Sequence, residues 1–311
     1  MDASSNSGPA RRPGRAGIGI DAALLIMVVV WAGNMVLLKK LLVAFPPAAL
    51  SAVRFLAISL LAYSVLAFKR GPWRVAREDL LRFGVASVTG VAAYQILFME
   101  ALDRGSMFAT NLLQGTEPLF ALVMVRVLGF ETVSPKQWAG VLVAFLGTLI
   151  FFLQGTQAGA GFAFGFADVI NLTSAACFAT YGLVSTPLFL RYPGRMVMAH
   201  TMGLGTLPLV AYGLPTLRRA DWGSIPAGAW AAAAVSGGLA VYVGYWIWNW
   251  GIARKGLAHT SLFLYLDIVL SGVFAYFFLG ERFGPTRILG ASVILLGVHL
   301  ARQQLPPEPA G

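Results

Sequence analysis

Residues 105–147 read GSMFATNLLQGTEPLFALVMVRVLGFETVSPKQWAGVLVAFLG, and residues 256–297 read GLAHTSLFLYLDIVLSGVFAYFFLGERFGPTRILGASVILLG. Set one above the other, Glu131, Gly140 and Gly147 fall opposite Glu281, Gly290 and Gly297, each 150 positions later. Upstream the register slips by one residue, so that Tyr94 and Gly105 fall opposite Tyr245 and Gly256. Both stretches follow one plan. A small-residue turn leads into an apolar helix (107–128, then 258–278), a short loop carries glycine and glutamate, and a second apolar helix opens on Pro135 or Pro285. The period is too long for a solenoid, so the chain is expected to be two copies of one unit.

Hydrophobic residues make up 58% of the chain and charged residues 12%, against about 25% charged in soluble domains. The composition therefore indicates an integral membrane protein. Spans need about 20 largely apolar residues each. Ten such segments are present: 18–42, 47–68, 80–102, 107–128, 135–153, 167–189, 196–215, 229–252, 257–278 and 285–301. The alternating pattern of a β-barrel is absent. The expected fold class is an all-α polytopic membrane protein, with an N-terminal tail over 1–17, a first repeat over 18–153, a linker over 154–166, a second repeat over 167–302 and a C-terminal tail over 303–311.

The net charge of +10 does not mark a nucleic-acid binder, because the basic residues lie between apolar segments and form no polar domain. With a cytoplasmic N-terminus, fifteen lysines and arginines fall inside, among them Arg11, Arg12, Arg15, Lys69, Arg195 and Arg254. Seven fall outside, among them Lys39, Lys40, Arg104 and Arg282. That bias follows the positive-inside rule and, with ten spans, puts both termini in the cytoplasm. The apolar run after Arg11-Arg12 lacks a small-residue cleavage site and reads as a retained first helix. Cys177, the only cysteine, rules out an intramolecular disulfide.

Polar residues within the spans mark candidate functional positions. Asn34 in the first span suits either a helix-to-helix hydrogen bond or a pore wall. Arg54 lies about two turns into the second; it needs a protein or water partner, can snorkel to headgroups, or can pair with Glu117 as a structural ion pair. Gly90, Tyr94 and Phe98 share a face of the third. The fourth carries Asn111, Gln114, Gly115, Thr116, Glu117 and Pro118, and Pro118 should kink it. Ser134 and Pro135 make a good helix start, and Gly140, Ala144 and Gly147 form a small-residue packing stripe. The sixth span holds Asp168, Asn171, Thr180 and Tyr181. The eighth carries Tyr242, Tyr245, Trp246, Asn249 and Trp250 as one stripe, either pore wall or interfacial belt. The ninth holds His259, Tyr265, Asp267 and Ser271, with Asp267 opposite Glu117 in the repeat.

Five spans per half is an odd number, so the second copy must enter the membrane inverted. Inverted repeats are the architecture of many secondary transporters, with a site near the midplane and access that alternates as the halves rock. The tract from Trp31 to Lys40, Pro47, Arg54-Phe55, the turns at Gly105 and Gly256 and the two Glu-to-Gly stretches resemble the drug/metabolite transporter superfamily, EamA type. Within it the chain looks most like YddG-type exporters of aromatic amino acids. The resemblance implies a ten-helix inner-membrane carrier exporting small metabolites, with a cavity lined mainly by the third, fourth, eighth and ninth helices. It departs from symmetry where Gln114–Pro118 is answered by Tyr265–Val269, without proline.

The substrate-binding candidates are Tyr94, Phe98, Asn111, Gln114, Glu117, Tyr181, Tyr242, Tyr245, Trp246, Asn249, Tyr265 and Asp267, with Gly115 and Pro118 as gating or kink positions. Tyr94, Tyr245, Trp246 and Trp250 can stack on a ring, for roughly 0.5–2 kcal/mol per contact. Gln114, Asn249 and Tyr265 can hydrogen-bond a polar end, and Glu117 or Asp267 can attract an ammonium. Facilitated or exchange transport and proton coupling through one of those carboxylates are the two mechanistic readings. A polytopic enzyme lacks support: no HExxH, GxSxG, GxGD, P-loop or cysteine cluster occurs, and His200, His259 and His299 lack metal spacing. A channel would show a filter motif, which is not seen. No cofactor or metal is expected. The partners are a small-molecule substrate and the lipid bilayer. The chain is expected to act as a monomer, or as a homodimer through the small faces of helices five or ten at Gly290 and Gly297.

Overall fold

The computed structural model of the chain describes residues 16–70, 73–105, 107–156, 165–279 and 284–302. The N-terminal tail with Arg11, Arg12 and Arg15, most of the expected linker, the C-terminal tail, and the loop with Glu281 and Arg282 lie outside the described residues. Among the described residues all regular structure is helical.

Local sequence sets the helix ends. α1 (Ala16–Leu41) and α2 (Pro47–Phe68) meet at Pro46-Pro47, where Pro46 is extended (φ −61°, ψ 140°) and Pro47 opens the helix at a position that needs no N–H. α3 (Arg77–Arg104) runs to Gly105. The single helix expected over 107–128 is instead two, α4 (Met107–Gln114) and α5 (Glu117–Val127). Pro118 has no N–H to donate to the Gln114 carbonyl, and the Gly115 and Thr116 amides donate back to Leu112 and Leu113 in tight turns of 3.1 and 3.0 Å.

α6 (Pro135–Thr156) opens with a reciprocal cap. The Gln137 amide donates to Ser134 Oγ at 3.2 Å, and the Ser134 amide donates to Gln137 Oε1 at 2.8 Å. α7 (Phe166–Arg191) is capped by Asp168, whose carboxylate accepts the Gly165 amide at 2.8 Å. Asp168 therefore satisfies a helix end. α8 (Gly194–Arg219) and α9 (Ala227–Lys255) follow. α10 (Leu257–Ser261) and α11 (Leu264–Leu279) form a second broken span, and α12 (Pro285–Arg302) ends the described chain.

Eight of these segments are long and apolar enough to cross a membrane. The pieces α4 and α5 have 8 and 11 residues, too few singly. The 18-residue α12, with Arg287 and Arg302, is not among the eight either.

The halves interlock around an approximate two-fold. α6 packs along its repeat mate α12, and α2 along its mate α8. α1 of the first half packs on α11 and α9, and its mate α7 packs on α5, α4 and α3. One buried apolar core runs through both halves, from Ile20 to Ala301.

The matched glycines form the α6–α12 seam. A Cβ on Gly140 would lie 2.4 Å from the Ala301 nitrogen, and one on Gly147 would lie 2.5 Å from that of Ile294. Cβ atoms on Gly290 and Gly297 would lie 2.3 Å from the nitrogens of Phe151 and Ala144. The two backbones touch along this line, as small-residue faces permit. This corrects the expectation of a dimer face at Gly290 and Gly297: each half covers the other's stripe within one chain.

α3 and α9 each contain a π-helical turn, Val88–Ala93 and Ser236–Val243. Such turns leave carbonyls outside the usual ladder and often occur at functional positions. One carbonyl in each turn is capped from the opposite half. Tyr245 OH donates to the Gly90 carbonyl at 2.7 Å, and Trp31 Nε1 donates to the Ala240 carbonyl at 2.8 Å.

Candidate functional site

Where the π turns and broken helices meet, a cavity of about 100 Å³ lies between the halves. α1 contributes Trp31 and Asn34, α2 Arg54, and α3 Tyr94, Gln95 and Phe98. Asn111, Gln114 and Gly115 enter from α4 and its break, Glu117 from α5, Phe178 from α7, Tyr245 from α9, and Asp267 from α11. The rings form one cluster. Tyr94 lies 4.7 Å from Phe178 and 5.6 Å from Phe98, and Tyr245 lies 5.8 Å from Phe178 and 6.3 Å from Trp31, centroid to centroid. Glycine is required beside it. A Cβ on Gly115 would come within 2.8 Å of Ile268 Cδ1, and one on Gly244 within 2.2 Å of Trp31 Nε1.

The polar groups of the cavity are only partly satisfied by the protein. Arg54 is 4% exposed, and its Nε and Nη1 have no hydrogen-bond partner. Glu117 Oε1, Asp267 Oδ1 and Gln95 Nε2 are likewise buried without partners. Arg54 forms no ion pair with Glu117, so the expected structural pair is replaced by a cation and two carboxylates arranged separately around one space. Burial at this level also removes the snorkelling reading of Arg54. Gln114 is committed across the halves: its Nε2 donates to Asn171 Oδ1 and Ser174 Oγ, both at 2.7 Å. Asn34 Oδ1 accepts Ser236 Oγ at 2.5 Å and also faces the cavity, uniting its two expected roles.

Other candidates lie elsewhere. Tyr181 is fully buried behind Tyr245, its hydroxyl donating to Asn249 Oδ1 at 2.8 Å. Tyr265 is buried and directs its hydroxyl to the Val141 carbonyl of α6. Tyr242 packs beside the small apolar cluster of Ala62 and Met196. Trp246 is 51% exposed and stacks on Trp250 at 5.9 Å, outside the cavity. Of the aromatic stripe in the eighth span, only Tyr245 reaches the space between the halves; Trp246, the next residue on a regular helix, is turned about 100° from it. Pro118 is buried in the first turn of α5 and acts through the break. Trp31, Gln95 and Phe178 are not among the binding candidates read from the sequence. The repeat register pairs Trp31 with Tyr181, 150 positions later, which is the signal that marks it.

The end of the molecule near Gly256 is closed by bonds between halves. Glu131, in the loop after α5, accepts the Leu257 and Ala258 amides at 2.7 and 3.2 Å and so caps α10 of the other half. Gly256 holds φ +82° there, and a Cβ on it would meet the Glu131 carboxylate at 2.9 Å. Burial pushes the Glu131 carboxyl above its usual range, and the two amide bonds partly offset this. Asp21 of α1 bonds His259 Nε2 at 2.9 Å and Arg302 at 2.5 Å. Asp79 accepts from Arg191 and Tyr192 at 2.7 and 2.9 Å.

Comparison with known proteins fits this architecture. The model of the EamA-like transporter family matches the chain twice, over residues 18–153 and 165–302. An uncharacterized transporter of Bacillus subtilis (strain 168), YyaM, is 27% identical over 83% of this chain and 85% of its own. A protein of Streptantibioticus cattleyicolor named a probable terminal-alkyne amino-acid exporter is 27% identical, covering 91% of this chain and 93% of its own. One of Salmonella typhimurium named a probable amino-acid metabolite efflux pump is 24% identical, covering 89% and 92%. A crystal structure at 19% identity covers 92% of this chain and 98% of its own with a TM-score of 0.74, a likeness of fold.

Proposed function

Because the chain belongs to the EamA-like transporter family of membrane transporters, we propose that it is an inner-membrane carrier that exports small amphiphilic metabolites, amino acids first and aromatic ones favoured, by alternating access. The observation that carries this reading is the open cation and two open carboxylates around an aromatic-walled cavity. Arg54 takes the substrate carboxylate, for which a guanidinium offers paired donors. Glu117 and Asp267 take the ammonium. Tyr94, Phe98 and Tyr245 face the side chain. Relatives named as amino-acid exporters support the substrate class.

In the orientation given by the positive-inside rule, α4–α5 and α12 complete ten crossings and the Gly256 end is cytoplasmic. Ligand pockets commonly measure about 300–1,000 Å³, so the cavity of about 100 Å³ has to widen around a substrate. Rocking of the halves, with release of the Glu131 and Asp21 contacts, opens it to the cytoplasm for loading. Proton coupling is the second reading, favoured by the unpartnered Glu117 and Asp267 atoms, since a buried carboxylate in a span is a natural proton carrier.

Counterflow in proteoliposomes tests the reading. Phenylalanine should be carried at least about tenfold better than phenethylamine or 3-phenylpropanoate, each of which lacks one charge. Equal flux of all three would refute zwitterion recognition. Flux that ignores an imposed pH gradient would eliminate coupling and leave exchange.

A further inference from the structure

A second concavity, about 590 Å³, lies on the outside of the helix bundle at its Gly256 end. It is built where three membrane-spanning segments finish or begin: Lys69 directly follows α2, Arg195 lies in the first turn of α8, and Arg254 lies in the last turn of α9. All three are exposed, and none forms an ion pair among the described residues. Its apolar lining includes the stacked pair Trp246 and Trp250, with Phe189 and Met198. Asn249 also lines it. It is 3% exposed, its Oδ1 is taken by Tyr181, and its Nδ2 is buried without a partner.

Three unpaired cations at span ends, an apolar aromatic wall running into the membrane zone, and a buried open donor match one amphiphile. We propose that this groove is a binding site for an anionic glycerophospholipid. Its phosphodiester would lie among Lys69, Arg195 and Arg254, and an acyl chain would run along Trp246 and Trp250. Basic pockets between membrane helices recognise such headgroups, with about 1 kcal/mol per basic residue near the surface, and tryptophans favour the same depth. The groove thereby accounts for the two tryptophans that point away from the central cavity. It also ties lipid occupancy to α9, which carries Tyr245 at the cavity and Trp246 at the groove in adjacent positions.

The full chain, reconstituted in a phosphatidylcholine background, is titrated with dibrominated phosphatidylglycerol or dibrominated phosphatidylcholine, and tryptophan quenching is followed. Half-maximal quenching should need a several-fold lower mole fraction of the anionic lipid. The preference should fall in R254Q and approach unity in K69Q/R195Q/R254Q, and W246F/W250F should remove most of the lipid-specific signal. Melting of each variant in neutral detergent checks that it is folded; R254Q, a single exposed change, keeps the test open if the triple variant fails. Equal quenching by the two lipids would overturn the proposal, as would a preference that survives the charge substitutions. Loss of the preference to inorganic phosphate at matched ionic strength would also overturn it, marking a site for free phosphate.

Discussion

The α6–α12 seam and the central cavity are both built from repeat-related residues, yet they use the repeat in opposite ways. At the seam the glycines match in both copies: Gly140, Gly147, Gly290 and Gly297 face one another's helices at backbone contact. At the cavity Tyr94 and Tyr245 match, but the helix break and the carboxylate beside it do not. Glu117 on a proline-broken helix is answered by Asp267 on a helix that breaks three positions earlier in the repeat, at Leu262–Phe263. The difference teaches that identity persists where two inverted copies must touch each other. Asymmetry is concentrated where they must touch a third, asymmetric molecule.

The largest effect should come from breaking the seam. In Gly297→Val the new Cβ meets the Ala144 backbone at 2.3 Å, where no side chain can yield, and overpacking of this kind costs about 3 kcal/mol or more. Loss of monodisperse folded protein on gel filtration is expected. Gly33→Ala, where a Cβ meets only Phe274 at 3.7 Å, serves as the tolerated control; equal behaviour of the two would remove the distinction. Next, Arg54→Met at the cavity should leave the melting temperature unchanged or higher, because no protein carboxylate is orphaned. Amino-acid counterflow should nevertheless fall on the order of ten- to a hundredfold, in line with a lost charged hydrogen bond. A loss of folded protein in step with transport would reassign Arg54 to structure.

Glu131→Gln lies between the two regions: it keeps one acceptor for the α10 amides while removing a buried charge, so at neutral pH its stability should stay within about 1 kcal/mol of wild type, read as a melting temperature. The sign of its pH dependence is fixed by burial. A carboxyl whose folded pKa is raised stabilises fully below the unfolded value and loses that contribution as pH rises through the folded one. The wild type should therefore show a downward stability slope just above the ordinary glutamate range, which Glu131→Gln lacks. Smallest of all, Trp246→Ala should change amino-acid flux less than about twofold, as expected for a half-exposed residue outside the cavity. A tenfold loss would return it to the substrate path.

The sequence already contained the duplication, the helical class and the glycine stripes, because these rest on period and composition. It also pointed to Arg54, Glu117 and Asp267, since ionisable groups in apolar segments carry their own signal. It could not tell which way the eighth span turns. A helical wheel puts Tyr242, Tyr245, Trp246 and Trp250 in one broad sector, but Tyr245 and Trp246 stand about 100° apart within it, and only Tyr245 lies on the cavity side. Nor did the local pattern reveal that Glu131 caps α10. That bond joins residues 126 apart in sequence, and its only trace was that Glu131 and Gly256 both belong to the matched set.

Under the rocking proposed for the halves, the two capped π carbonyls set where the motion is smallest. Gly90 and Ala240 accept their donors from Tyr245 and Trp31, whose rings lie 6.3 Å apart. Contacts this close to the centre travel least when two bodies tilt against each other, while those at the rim, such as Glu131 with Leu257, travel furthest. In that proposal the pair is the bearing: two short bonds of different chemistry, indole and phenol, hold the centre while the rims part.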